Sequence, residues 1–269
     1  MNIARGDTMI ELTGKRALVC GSTQGMGRAS AIELARQGAN VTLVARNAES
    51  LEAVCRDLDR SRGQEHATLC QDFSDPHALG EKVQTYVKET GPIHILLNNT
   101  GGPSGGPILA ATPDEFVKAF TQHLICNQLL TQAVVPGMKS ESYGRIINII
   151  STSVKVPIPG LGVSNTTRGA VASWAKTMAG ELGPFGITVN NLLPGFIDTA
   201  RIYDVINARA KQTGKDPKDI QAMFVAQIPA GRFGSPQEIA NVVCFLASPA
   251  ASYVNGINIP VDGGRTPTL

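Results

Sequence analysis

The sequence lacks the features that mark most specialised protein classes. No apolar run approaches the roughly 20 residues that span a bilayer, so no membrane partner is expected. Neither sign of charge dominates: 24 Lys and Arg stand against 22 Asp and Glu. A net charge of +2 gives no argument for nucleic acid or an acidic surface as partner. The cysteines are few and scattered, at Cys20, Cys55, Cys70, Cys126 and Cys244. With no C-x-x-C pair and an odd count, they read as reduced thiols in an apolar interior. The four histidines are equally dispersed, and no metal is expected. The opening MNIARGDTMI has no apolar stretch of the secretory kind. Residues 1–11 are therefore expected as a flexible tail, and the protein as cytoplasmic.

What the sequence does have is alternation. Its 269 residues, 42% hydrophobic and 17% charged, suffice for one large domain with its own core. Short apolar runs predict strands at 16–21, 40–45, 66–71, 93–98, 145–150, 187–192 and 257–261. Helical periodicity predicts helices at 25–37, 48–61, 76–90, 113–138, 161–182 and 236–247, with a helix-rich insert near 199–227. Strands apolar on both faces that alternate with helices imply a parallel sheet covered on two sides. The expected fold class is α/β. It is a single Rossmann-type doubly wound domain over 12–269, with about seven parallel strands and helices on both faces. GGPSGGP at 101–107 makes a loop, too short for a domain boundary.

The chemistry-bearing motif comes first in the chain. Gly21, Gly25 and Gly27 lie in GSTQGMG, after the first strand and at the head of the first helix. Glycines let the backbone turn tightly against a pyrophosphate, and a helix N-terminus offers free N–H groups and a positive dipole end. The spacing is G-x-x-x-G-x-G. With it come Asn98-Asn99-Thr100-Gly101 after the fourth strand, Pro194-Gly195 after the sixth, and Val261-Asp262-Gly263-Gly264 near the end. Together these resemble the short-chain dehydrogenase/reductase superfamily, in which the second motif usually reads N-N-A-G, from about Leu12 to Gly264, and within it the bacterial 3-oxoacyl-(acyl-carrier-protein) reductases.

The resemblance implies an NAD(P)(H)-dependent oxidoreductase that moves hydride between nicotinamide and a small carbonyl or alcohol. It implies that Gly21, Ser22, Thr23, Gly25, Met26 and Gly27 hold the diphosphate. Asp72, next to Phe73, would accept from the adenine amino group, unless it serves as a loop or helix cap. Asn99 and Gly101 would line the adenosine ribose, and Pro194, Gly195, Ile197 and Thr199 would lie along the nicotinamide. It also implies a homo-oligomer, in this family usually a tetramer, and a lid over the substrate at 199–227. Because the lid carries no basic cluster, the sequence gives no argument for a phosphorylated or carrier-bound substrate.

Cofactor choice falls to the end of the second strand. A carboxylate there would bind the ribose 2′-hydroxyl and favour NAD(H). The sequence has Ala45-Arg46-Asn47 instead. Arg46, unless merely solvated, can grip a 2′-phosphate with its planar fork, so NADP(H) is favoured and NAD(H) remains possible.

The family's reductases typically use Asn, Ser, Tyr and Lys, and here the pattern breaks. Ser151 keeps the serine position. The Y-x-x-x-K pair is replaced by Ser164 and Arg168, and the asparagine position holds His123. A serine hydroxyl is a far poorer acid than a phenol, and arginine does not give up its proton. One reading is an active enzyme with His123, which ordinarily titrates near neutrality, as acid/base. In it Ser151 and Ser164 orient the carbonyl and Arg168 anchors charge. Tyr203 in the insert is a weaker candidate acid. The other reading keeps the fold and loses the chemistry, leaving a nucleotide-dependent sensor or regulatory protein.

Overall fold

A computed structural model describes residues 10–268. Most of the expected tail, residues 1–9, lies outside the described residues. Its last two residues are docked onto the domain. Ile10 packs against the core, and Glu11 accepts from the Arg62 guanidinium at 3.0 Å and from the Thr13 backbone N–H at 2.8 Å.

Seven strands form one sheet: β1 (Arg16–Cys20), β2 (Asn40–Ala45), β3 (Ala67–Cys70), β4 (Ile95–Asn98), β5 (Gly144–Ile149), β6 (Ile187–Pro194) and β7 (Asn258–Val261). All pairings are parallel, in the order β3-β2-β1-β4-β5-β6-β7. The central strands are buried along their length and the edge strands β3 and β7 only partly. One apolar cluster on each face of the sheet forms the core. The chain runs outward in opposite directions from β1 and β4, so a crevice opens at their C-terminal ends, where such folds bind ligands.

The helices are α1 (Gly25–Arg36), α2 (Ala48–Arg56), α3 (Pro76–Thr90), α4 (Pro113–Phe120), α5 (Cys126–Ser140), α6 (Gly162–Leu182), α7 (Ala200–Thr213), α8 (Pro217–Val225) and α9 (Pro236–Ala247). Local chemistry starts several of them. Asp75 caps α3 ahead of Pro76, and Thr112 with Glu115, and Ser235 with Glu238, close capping boxes on α4 and α9.

Two expected helices differ. The second stops at Arg56 rather than Ser61, because the Arg60 guanidinium turns back and donates to the carbonyls of Cys55 and Leu58 at 2.9 and 3.0 Å. The long helix expected at 113–138 is interrupted by a π-helical turn, Thr121–Ile125, between α4 and α5. Such turns carry one extra residue and recur at functional sites. The expectation of buried cysteines fails at Cys70. It is exposed at the end of edge strand β3, where its thiol donates to the Arg46 carbonyl. Trp174, Met178 and Phe245 are partly buried against the core clusters.

A ladder of buried amides crosses the sheet. Asn98 donates to Asn148 at 2.8 Å, Asn148 to Asn191 at 2.9 Å, and Asn191 to Asn258 at 2.8 Å. These bonds run from the C-terminal ends of β4 and β5 to the middle of β6 and the start of β7. Over it, α7 and α8 build the expected insert around a small cluster of their own, Ile202, Ile206, Ala210 and Ile220, with Phe196 stacked on Phe224 at 4.9 Å.

Candidate active site

The glycine turn joins β1 to α1. Gly21 holds φ +58°, and a Cβ there would meet the Asn99 carbonyl oxygen at 2.5 Å. Only glycine fits this turn. Asn99, expected at the adenosine ribose, uses its amide on the protein: Nδ2 donates to the carbonyls of Cys20 and Gly21 at 3.3 and 3.2 Å. It is a brace for the turn. The Ser22 side chain is likewise turned inward, its hydroxyl donating to the Val44 carbonyl at 3.4 Å. Met26 packs on the core, whereas Thr23 and Gly25 stay partly accessible. No side chain caps α1 at Gln24, so the first amides of this helix remain available to a ligand. A narrow glycine cradle ending on uncapped N–H groups fits the diphosphate of a dinucleotide.

Along the crevice, Arg46 is exposed at the end of β2, and its neighbour Asn47 accepts from Ser50 as the cap of α2. Asp72 accepts from the Ser74 backbone at 2.8 Å. That bond first, with Arg46 as a lesser contributor, holds its carboxyl below the usual range. The residue itself is exposed. Phe73 packs on the core and its carbonyl accepts from the Cys126 thiol. Gly101 stands exposed at the crevice rim. On the other wall, the Gly195 amide donates to the Val261 carbonyl at 3.0 Å. The Ile197 side chain is buried in the core, so only its backbone can serve a ligand there. Thr199 precedes α7 and its methyl lies 3.3 Å from the point a Cβ on Gly25 would take, which closes the crevice across the glycine turn.

The four catalytic candidates come from three elements around the ends of β4 and β5. Ser164 and Arg168 share one buried face of α6, at 9% and 7% exposure. Arg168 donates to the Ile149 carbonyl at 3.4 Å, which ties α6 to the strand end from which Ser151 follows. Ser151 accepts from the Ser153 backbone at 3.1 Å. His123 sits in the π-helical turn, 1% exposed. Its Nδ1 shares a hydrogen bond with the Thr100 hydroxyl at 2.5 Å, and its buried Nε2 has no partner.

The expectation that His123 titrates near neutrality is overturned. Burial, aided by the Arg168 charge, pushes its imidazole down to about 3. It is therefore neutral at physiological pH, a hydrogen-bonding group without a charge to give. Burial also lowers Arg168, to about 10, which still leaves it cationic. Tyr203 is exposed, and Asp198, bonded to it, raises its hydroxyl above the ordinary value. That makes it a poorer acid.

Two features were not singled out in the sequence. Thr100 partners His123, and the signal for it was present as the Thr in place of Ala in the Asn-Asn-Thr-Gly motif. A cavity of about 330 Å³ lies between Val156, Pro157, Pro159, Gln227, Arg265 and Thr266. It joins the loop after β5 to the C-terminal segment, and only the proline pairs in VPIPG hinted at a shaped wall.

A doubly wound sheet with a glycine cradle at its switch point and a helical insert over the crevice defines a dinucleotide-binding α/β protein. Residues 21–266 match the family model described as Enoyl-(Acyl carrier protein) reductase. The chain is 34% identical over 255 residues to the 3-oxoacyl-(acyl-carrier-protein) reductase FabG of Pseudomonas aeruginosa, covering 95% of this chain and 98% of the relative. It is 32% identical over 261 residues to gluconate 5-dehydrogenase of Gluconobacter oxydans, covering 97% and 98%. L-sorbose reductase of Gluconobacter frateurii, solved with NADPH and L-sorbose, superposes with a TM-score of 0.90 at 30% identity, over 97% of this chain and all of that one. The chain belongs to the short-chain dehydrogenase/reductase family of oxidoreductases.

Proposed function

We propose that the chain is an NADP(H)-dependent oxidoreductase that interconverts a small carbonyl compound and its alcohol without the family's tyrosine. The glycine cradle carries this reading. Gly21 to Gly27 bring uncapped amides to the diphosphate, Thr199 closes over them, and Pro194 to Thr199 form the wall for the nicotinamide. Arg46 at the end of β2, where no carboxylate stands, supports NADP(H) over NAD(H). The bound nicotinamide supplies or accepts the hydride at the carbonyl carbon.

The protein's own part is orientation, charge and proton supply. Arg168 replaces the family lysine, holds the nicotinamide ribose and places a buried positive charge beside the oxygen on which negative charge develops. The hydroxyls of Ser151 and Ser164 orient that oxygen and relay a proton from solvent. With Thr100 donating to Nδ1, the neutral His123 ring carries its proton on Nε2 and donates it as a hydrogen bond into the site. Neutral imidazoles act as electrophiles in this way. The α7–α8 insert excludes water. Val117 and Ile125, exposed on the long helical stretch, support the expected homo-oligomer.

A second reading is binding without turnover. It is favoured by the depressed imidazole of His123, the one histidine among the described residues of this cleft. The two are separated by measuring NADPH and NADH binding and then NADPH consumption on a panel of ketones, aldehydes and acetoacetyl thioesters. The expected results are tighter binding of NADPH, turnover of at least one substrate, and a loss of tenfold or more in kcat for His123→Ala. Binding with no turnover on any of them would favour the sensor, and full activity in His123→Ala would remove the role given to His123.

A further inference from the structure

Arg168 is a buried cation without a counter-ion. The ion pairs among the described residues join Arg28 to Asp57, Arg36 to Glu33, Arg62 to Glu11 and Arg232 to Glu238, and none includes it. A second guanidinium, in none of these ion pairs among the described residues, reaches the same point. Arg201 comes from the first turn of α7, in the insert that the sequence showed as lacking a basic cluster. The two converge on Gly102. The point where a Cβ on Gly102 would sit lies 3.9 Å from Arg168 Nη2 and 4.0 Å from Arg201 Nη2.

Arg168 is buried and Arg201 is exposed at the rim, so the two present their charge to one point from inside and outside the cleft. The arrangement is held. Arg201 Nη2 donates to the Pro103 carbonyl at 3.0 Å, and the Gly106 amide donates to the Gly160 carbonyl at 2.7 Å. The glycine-rich loop is thereby fastened both to the insert and to the start of α6. Asp198, which bonds Tyr203, is in none of the ion pairs among the described residues. Beside Arg168, the fully buried His123 Nε2 also points at nothing.

We propose that Arg168 and Arg201 seat a carboxylate of the substrate, so that the natural substrate is an oxo acid or the matching hydroxy acid. One carboxylate bridges the pair, an oxygen to each guanidinium, at charge-assisted distances of about 2.8 Å. The carbonyl of the same molecule then lies toward Ser151, Ser164 and His123. A neutral ketone leaves the two cations uncompensated. The proposal rests on the oxidoreductase reading for the fate of the carbonyl, but the carboxylate seat itself is testable without turnover.

The probe is acetoacetate against methyl acetoacetate, titrated calorimetrically into the full-length protein saturated with NADP⁺, which has no hydride to give. Acetoacetate is expected to bind roughly tenfold or more tightly than its ester. Arg201→Gln is expected to abolish that preference, and Arg201→Lys to restore part of it. A merely structural role for Arg201, fastening the loop, would weaken acid and ester alike and leave their ratio unchanged. Equal binding of acid and ester, binding of neither, or an unchanged ratio in Arg201→Gln would each overturn the proposal. If the protein bound no dinucleotide, the functional reading would fall, and the same ratio measured on the free protein would still decide for or against the seat.

Discussion

The Thr100 hydroxyl and His123 Nδ1 share one hydrogen bond, and both residues are departures from the family pattern. Thr100 replaces the usual alanine after the paired asparagines, and His123 replaces the asparagine of the long helix. Two departures 23 residues apart meet in one contact. Their coupling is expected to be measurable. Thr100→Ala and His123→Asn each leave a buried polar atom without its partner, and the double variant restores the usual family pair. Urea denaturation of the four proteins is expected to give a coupling of about 1 kcal/mol. Strict additivity would mean that the bond contributes nothing.

Stability is expected to fall on acidification well before the carboxylates titrate. Burial holds His66, His94 and His123 below their ordinary value of 6.5, with His123 down to about 3. The unfolded chain takes up these protons as pH drops through 6.5, and the native state takes them up only at lower pH. Their contribution is therefore complete above about pH 7 and declines as pH falls, for His123 down to about pH 3. At pH 5, His123 alone is expected to account for about 2 kcal/mol of the loss. The urea midpoint between pH 7.5 and 5 reads it, and His123→Asn is expected to flatten the slope. A midpoint that holds or rises at pH 5 would show that His123 is accessible to protons.

The amide ladder links the ends of β4 and β5, which lead into the site, to β6 and β7. Asn148 both accepts from Asn98 and donates to Asn191. Asn148→Ala orphans a donor on one side and an acceptor on the other, at an expected cost of about 3 kcal/mol. Because β4 leads to Thr100 and β5 to Ser151, turnover should also fall, by a larger factor than thermal stability alone explains. A variant of unchanged midpoint would mean that water replaces the side chain.

Gly25 holds φ +53° with Thr199 Cγ2 3.3 Å from its absent Cβ. Gly25→Ala strains the turn and crowds the residue that closes the crevice. Its NADPH affinity is expected to drop at least tenfold in a fluorescence titration while the fold is retained. An unchanged affinity would place the diphosphate elsewhere.

Much of this architecture was legible in the sequence because it is written locally. The glycine turn, the helix starts at Pro113 and Pro236, and the apolar runs of β1, β2, β4, β5 and β6 are each set by neighbours within a few residues. The π-helical turn was not legible. TQHLI is ordinary helical sequence, and the partner its His123 meets, Thr100, lies 23 residues away. Nor was the early end of α2, which depends on how Arg60 folds back. The convergence of Arg168 and Arg201 on Gly102 joins three distant segments, and no single window of sequence contains it. The neutral state of His123 is a property of burial, and a residue letter carries no information about that.

A crystal structure with NADP⁺ and acetoacetate bound tests the whole arrangement at once. The expected result is the diphosphate on the amides of Gly21 to Gly27, the 2′-phosphate against Arg46, and the nicotinamide face turned toward Ser151 and Ser164, with Arg168 on its ribose. A dinucleotide bound away from this cradle, or one whose nicotinamide points out to solvent with Ser164 and Arg168 untouched, would contradict it.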